Sequence, residues 1–169
     1  MPIGLIADLA VIVVAKKEIP SNNLKEFISY AKANEGKLNM GHAGVGSITH
    51  FSGLLFNSLI GIKPIMVPYT GTALATNALV ASDVDYMTGL PPDVIPQVEA
   101  GTIKAFAVSS VERNPALPNV PTSTQAGMPE FQVSAWFALF APKNTPALFS
   151  TDCPMRSIWP WTMRLYASE

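Results

Sequence analysis

Lys37-Leu38-Asn39-Met40-Gly41-His42-Ala43-Gly44-Val45-Gly46-Ser47-Ile48-Thr49-His50 carries a short extended run through a glycine-rich turn into a run with helical spacing. We read it as a strand near 37–41, a tight turn, and a helix over about 47–60 with Ser47 at the capping position. The same unit recurs in both directions. Upstream, residues 4–15 form a β-branched apolar run broken only by Asp8, which predicts a buried strand. Leu24, Phe27, Ile28 and Ala31 then fall at i, i+3, i+4 and i+7, an amphipathic helix that Asn23 and Glu26 cap and Gly36 with Lys37 ends. Downstream we predict a strand at 65–68, a helix over 72–81, a strand at 84–87, a short helix over 93–100 that Pro96 bends, and a strand at 104–109.

Strand and helix in alternation imply an α/β architecture, a parallel-rich sheet with helices on both faces. Residues 114–129 hold four prolines and read as loop; 131–141 read as a long, partly aromatic strand that leaves the domain. Residues 150–169 differ in character, with the only cysteine, Cys153, two of three tryptophans, Pro154 and Pro160, and no clean period.

The bulk properties narrow the function. A chain of 169 residues suits one domain, and 14% charged residues with 15 prolines and 11 glycines describe many short elements and tight turns. The net charge is −1 and no stretch collects Lys or Arg, which disfavours nucleic acid and anionic membranes. The longest apolar run is too short to cross a bilayer. No basic region leads into an apolar segment at the N-terminus, so a chain made as written is expected to stay in the cytoplasm. One cysteine excludes an internal disulfide and a multi-cysteine metal site.

In open α/β sheets ligands sit beyond the carboxyl ends of strands, which directs attention to three loops. In the first, Ala43, Gly44, Val45, Gly46 and Ser47 lead into a helix whose first amides lack intrahelical partners and favour an anion such as a carboxylate. A plain tight turn in which Ser47 caps its own helix explains the same residues, and on the motif alone both readings stand. The third glycine of the dinucleotide fingerprint would fall at Thr49 and no Gly-Lys-Ser/Thr occurs, so no nucleotide cofactor is expected. The second loop holds Tyr69, Thr70, Gly71 and Thr72, whose hydroxyls suit helix capping better than ligand contact. In the third, Thr88 ends a strand before Leu90, Pro91 and Pro92 and is expected to face a pocket.

Ser47 and His50 share a helix face, which invites a nucleophile and base, but the Gly-x-Ser-x-Gly turn of a hydrolase is missing and His50 reads as a supporting residue. His42 and His50 have no carboxylate or cysteine at ligand spacing, so no metal is expected. Asp83 and Asp85 are expected to end in solvent. Trp136 and Phe137 suit a pocket wall or, more simply, a core.

In their order these motifs resemble the tripartite tricarboxylate transporter receptors, the TctC or Bug family of periplasmic solute-binding proteins. The resemblance covers residues 2–147. It runs through Pro2-Ile3-Gly4-Leu5-Ile6-Ala7, Gly36-Lys37-Leu38-Asn39, Ala43-Gly44-Val45-Gly46-Ser47 with His50, and Val67-Pro68-Tyr69 with Gly71. It continues through Leu90-Pro91, Ala100-Gly101, Pro115-Ala116-Leu117-Pro118-Asn119-Val120-Pro121-Thr122 and Trp136-Phe137 with Ala141-Pro142.

The resemblance implies one lobe of a type II periplasmic-binding-protein fold that does no chemistry. It implies a small organic carboxylate as ligand (a dicarboxylate, aromatic acid or amino acid) and a membrane permease as partner, in the periplasm. It places ligand contacts at Ala43, Gly44, Val45, Gly46, Ser47 and Thr88, with secondary ones at His50, Tyr69, Thr70 and Gly71. The family usually has an aspartate where this chain reads Met87-Thr88-Gly89, which leaves Thr88 the weakest of these.

Relative to the family the chain looks like half a receptor: residues 1–147 as the second lobe with two hinge-crossing strands, and 148–169 as an atypical tail from a changed reading frame. Residues 9–14 and 136–140 are then expected to expose apolar surface and to support self-association. An effector-sensing regulatory domain of the same architecture and a small α/β hydrolase are the alternatives.

Overall fold

The computed structural model describes residues 2–143. Residues 148–169, expected to be an atypical tail and including Cys153, lie outside the described residues. The described residues divide into two compact units, 10–134 and 2–9 with 135–143. In the second of these, β1 (Pro2–Ala10) pairs with β7 (Ser134–Phe140) in a two-stranded sheet.

The larger unit contains β2 (Ile12–Lys16), α1 (Leu24–Ala33), β3 (Asn39–His42), α2 (Ile48–Ile60), β4 (Ile65–Pro68), α3 (Thr72–Val80), β5 (Tyr86–Gly89), α4 (Pro91–Glu99) and β6 (Ile103–Val108). Its five strands lie in the order β4-β3-β5-β2-β6. β3 runs parallel to β4 and to β5, and β2 runs antiparallel to both β5 and β6. Four of the five strands therefore point the same way and β2 alone is reversed. Alternation of strand and helix misses this, because β5 slots between β2 and β3 and the β2-α1-β3 connection is not a parallel crossover.

The single strand expected over 4–15 is two strands in two sheets. Between them Val11 turns its amide to the Ser109 hydroxyl at 2.8 Å. Val11, Ile12, Val13 and Val14 are all fully buried, which corrects the expectation that 9–14 would expose apolar surface. They are the spine of the larger unit's core; of the two stretches expected to expose apolar surface only 136–140 does so, with Trp136, Phe137, Leu139 and Phe140 open to solvent.

Period-2 alternation along β2 sends its side chains into two cores. Val13 and Ala15 join Leu24 and Phe27 of α1 and Phe56 and Ile60 of α2 on one face. Ile12 and Val14 join Ala75 and Leu79 of α3 and Val94 of α4 on the other. Helices thus cover both faces, as the sequence pattern requires. The first core is aromatic: Phe27 stacks on Phe106 with centroids 4.8 Å apart and meets Tyr86 edge-on at 5.4 Å. Tyr86 donates its hydroxyl to Asn57 at 2.7 Å, which satisfies the polar ends of both buried side chains.

Gly53 sets the depth at which α2 lies. A Cβ there would stand 1.9 Å from Met40 Cε and 2.8 Å from its Sδ, so with glycine at this position the buried Met40 thioether lies directly against the helix backbone. Because α2 and α4 follow the neighbouring parallel strands β3 and β5 on opposite faces, a crevice opens at the carboxyl ends of those two strands.

Candidate functional site

The turn after β3 occupies that crevice. Gly44 and Gly46 hold φ of +105° and +84°, the left-handed region that side chains other than glycine rarely adopt. The turn is closed by Ser47, whose amide and hydroxyl both donate to the Gly44 carbonyl, at 3.2 and 2.7 Å. The Ser47 hydroxyl in turn accepts from the His50 amide at 3.2 Å, as an N-cap should. Thr49, fully buried, accepts from the Ala43 amide at 2.8 Å and lies 3.1 Å from the Ser47 hydroxyl. Gly46 donates its amide to His50 Nδ1 at 3.3 Å.

After these bonds the amides of Gly44, Val45, Ile48 and Thr49 have no protein acceptor among the described residues. They surround the N-terminus of a helix of 13 residues, where the macrodipole is positive. Capping, one of the two explanations that compete on the sequence, does not exhaust the donors of the turn: Ser47 satisfies one and holds the loop, and the remaining amides have no protein acceptor among the described residues.

The Ser47 hydroxyl is engaged with the Gly44 carbonyl and the His50 amide, and His50 Nδ1 with Gly46. Serine and imidazole therefore form no nucleophile and base pair. His50 lies against His42, with ring centroids 4.6 Å apart. His42 is 1% exposed and its Nδ1 has no hydrogen-bond partner. Burial lowers the His42 pKa, the Gly44 backbone partly opposes this, and His50 adds to it.

Thr88 does not face the crevice. It is fully buried, donates its hydroxyl to the Thr49 carbonyl at 2.9 Å and shares a 2.7 Å hydrogen bond with Ser52. Its role is to tie β5 to the first turns of α2, which corrects the expectation of a direct contact. Thr49 and Ser52 complete this chain of hydroxyls and were missed. Their signal was a run of small polar residues, Ser47, Thr49 and Ser52, on a helix otherwise rich in Leu, Ile and Phe.

The second loop also departs from expectation. Gly71, at φ +127°, is the N-cap of α3 and no side chain caps that helix. Thr70 is exposed, and the Thr72 carbonyl accepts from Thr76 at 2.9 Å. The Tyr69 amide donates to the His42 carbonyl at 2.8 Å, which brings this loop beside the first; a Cβ on Gly44 would lie 3.5 Å from the Tyr69 carbonyl.

Asp83 is exposed as expected, but Asp85 is not in solvent. It pairs with Lys16 at 2.6 Å and accepts from the Asn39 amide at 2.7 Å, joining β2, β3 and β5 at the opposite end of the sheet. A hollow of about 330 Å³ bordered by Leu54, Ile62, Lys63 and Met66 lies at the C-terminal end of α2 and touches none of the crevice residues. Among the described residues no three His, Cys, Asp or Glu side chains cluster as metal ligands, and no helix is long and apolar enough to cross a membrane.

Residues 1–150 match the model of the tripartite tricarboxylate transporter family receptor, TctC. The chain belongs to this family. BugT of Bordetella pertussis is 31% identical over 149 residues, 86% of this chain and 44% of that protein. MatC of Rhodopseudomonas palustris, whose structure holds bound malate, superposes with a TM-score of 0.82 at 41% identity over 88% of this chain and 51% of its own. A second R. palustris protein, in a structure with adipate, gives 0.83 at 32% identity over 89% and 50%.

The chain thus spans about half the length of the relatives it matches. Its α/β fold is that of about half a periplasmic binding protein. The TctC family is a family of transport receptors rather than of enzymes, and neither the regulatory nor the hydrolase alternative is favoured.

Proposed function

We propose that this TctC-family chain forms one wall of a cleft for a small organic carboxylate, seated on Ala43, Gly44, Val45, Gly46 and Ser47. The observation that carries this reading is the set of amides on Gly44, Val45, Ile48 and Thr49, left without protein acceptors at the start of α2. Backbone amides at a helix start hold a carboxylate without a cation, and they are preorganised here by Ser47, Thr49 and the two glycines. The malate and adipate held by the two similar proteins support the ligand class.

Thr88 acts beneath the seat, and the exposed Thr70, with Tyr69 and Gly71, belongs to its rim. The chain does no chemistry on the solute. The complete receptor presents it to a membrane permease from the periplasmic side. One wall leaves much of the ligand in water, so affinity is weak compared with a closed cleft. The exposed aromatic residues of β7 favour self-association of the isolated chain, and light scattering at rising concentration tests this: a monomer throughout removes that part of the reading.

The seat itself is tested by thermal unfolding with malate, adipate and other carboxylates. A ligand at ten times its Kd should raise stability by about 1.4 kcal/mol. Gly46→Val should abolish the effect, since valine cannot hold φ +84° and the turn must reorganise. Stabilisation that survives this change unaltered places the seat elsewhere.

A further inference from the structure

We propose that His50 couples carboxylate binding at the 43–47 seat to proton uptake, so that the ligand is held more tightly as the pH falls. This rests on the seat proposed above and deepens it. From Leu38 to Ser82, the stretch that builds both neighbouring loops and their helices, the ionisable side chains are His42, His50, Lys63 and Tyr69. Lys63 lies past the far end of α2, about 20 Å along a 13-residue helix from its start. The seat therefore has no permanent cation from this stretch, and the side chains there that can gain a positive charge beside it are the two imidazoles.

The two imidazoles are not equivalent. His42 is buried at the end of β3, where charging it would leave a cation without water. His50 is only partly buried and sits in the first turn of α2, with Nδ1 accepting from the Gly46 amide. That bond requires a neutral ring with the proton on Nε2. When His50 takes up a proton, Nδ1 becomes a donor, the Gly46 amide is released, and an amide and a cation both become available to an anion on the same turn.

The ring and hydrogen-bond contacts of His50 are with His42 from β3, Phe51 on its own helix and the Gly46 amide, and none of these supplies a counter-charge. The bound carboxylate is then the missing partner, and by linkage whatever it does to the His50 proton affinity the proton does to carboxylate affinity. A rise of one unit in the His50 pKa on binding corresponds to about tenfold tighter binding to the protonated form.

The test uses the full chain with malate, by NMR titration of both imidazoles between pH 5 and 8 and by malate affinity at pH 5.5 and 7.5. Malate should raise the His50 pKa by about one unit, tighten several-fold on acidification, and lose most of that pH dependence in His50→Gln, whose amide oxygen can still accept from Gly46. Comparing the two proteins cancels the ionisation of malate itself. If malate shifts the amide signals of residues 43–49 but leaves the His50 pKa unmoved, or if His50→Gln keeps the full pH dependence, the coupling is wrong and the seat stands. If malate moves none of those amides, the seat falls and the coupling with it.

Discussion

α2 and α3 start under similar instructions and end differently. Each follows a parallel strand, each begins after a glycine held at positive φ, and the strands that feed them, β3 and β4, are neighbours. At α2 a serine caps the helix, a buried threonine ties the cap to the strand, and four amides are left around a rigid turn. At α3 the N-cap is Gly71 with no side-chain bond, and Thr70 points to solvent. A glycine-hydroxyl turn before a helix is therefore not enough to hold a capped, rigid turn with free amides. What separates the two is the layer beneath, where Thr88 and Ser52 fasten α2 to β5, whereas the Thr76 hydroxyl of α3 bonds its own helix and reaches β5 only at the Met87 sulfur, 3.9 Å away.

The contrast breaks most severely at Gly53. Gly53→Val puts a branched side chain where the buried Met40 thioether lies and forces it to repack in a full core, with an expected loss of about 3 kcal/mol in denaturant unfolding and of ligand stabilisation with it. α3, packed through Ala75, Ala78 and Leu79, has no such point of failure. Thr88→Val comes next: it is close in volume but removes the hydroxyl shared by Thr49 and Ser52, at an expected cost of about 2 kcal/mol. A loss below about 0.5 kcal/mol there would mean that the buried hydroxyl chain does not anchor the turn. Ser47→Ala should cost about 1 kcal/mol as a lost cap. The matching change at the other helix, Thr70→Ala, should stay within about 0.5 kcal/mol, because Thr70 caps nothing.

The same contrast marks how far the sequence could be read. Element types and most bounds follow from local pattern: the Asn23 and Glu26 cap, the 3.6-residue stripe of α1, and the Gly-x-Gly turn are all short-range, and they appear as expected. The reversal of β2 is not local, since it depends on β5 being inserted between β2 and β3, a choice that no window of sequence records. Asp85 reads as solvent-facing because its partners, Lys16 and the Asn39 amide, are 69 and 46 positions away. Thr88 was misplaced for a related reason: a strand-end threonine before a loop looks the same whether it faces the crevice or the helix beneath. The turn was legible in its glycines; the hydroxyl chain that stiffens it was visible only as scattered Ser and Thr on an apolar helix.

The smallest expected effect separates the two helix starts by charge. His42 is the buried imidazole behind the α2 turn, and the turn before α3 has no titratable group except Tyr69. Burial lowers the His42 pKa in the folded chain, while the unfolded chain keeps the ordinary value near 6.5. Below that value the unfolded state binds a proton that the folded state refuses, so acidification favours unfolding. Stability should therefore hold above about pH 7 and decline as the pH falls through about 6.5, continuing until the folded chain also protonates. Thermal unfolding at closely spaced pH values checks this, with His42→Asn as the control that should flatten the decline relative to the unaltered chain. A His42→Asn profile that runs parallel to the original would assign the acid sensitivity to other groups. It would also remove the reason for treating His42 as the imidazole that stays neutral while His50 responds to the ligand.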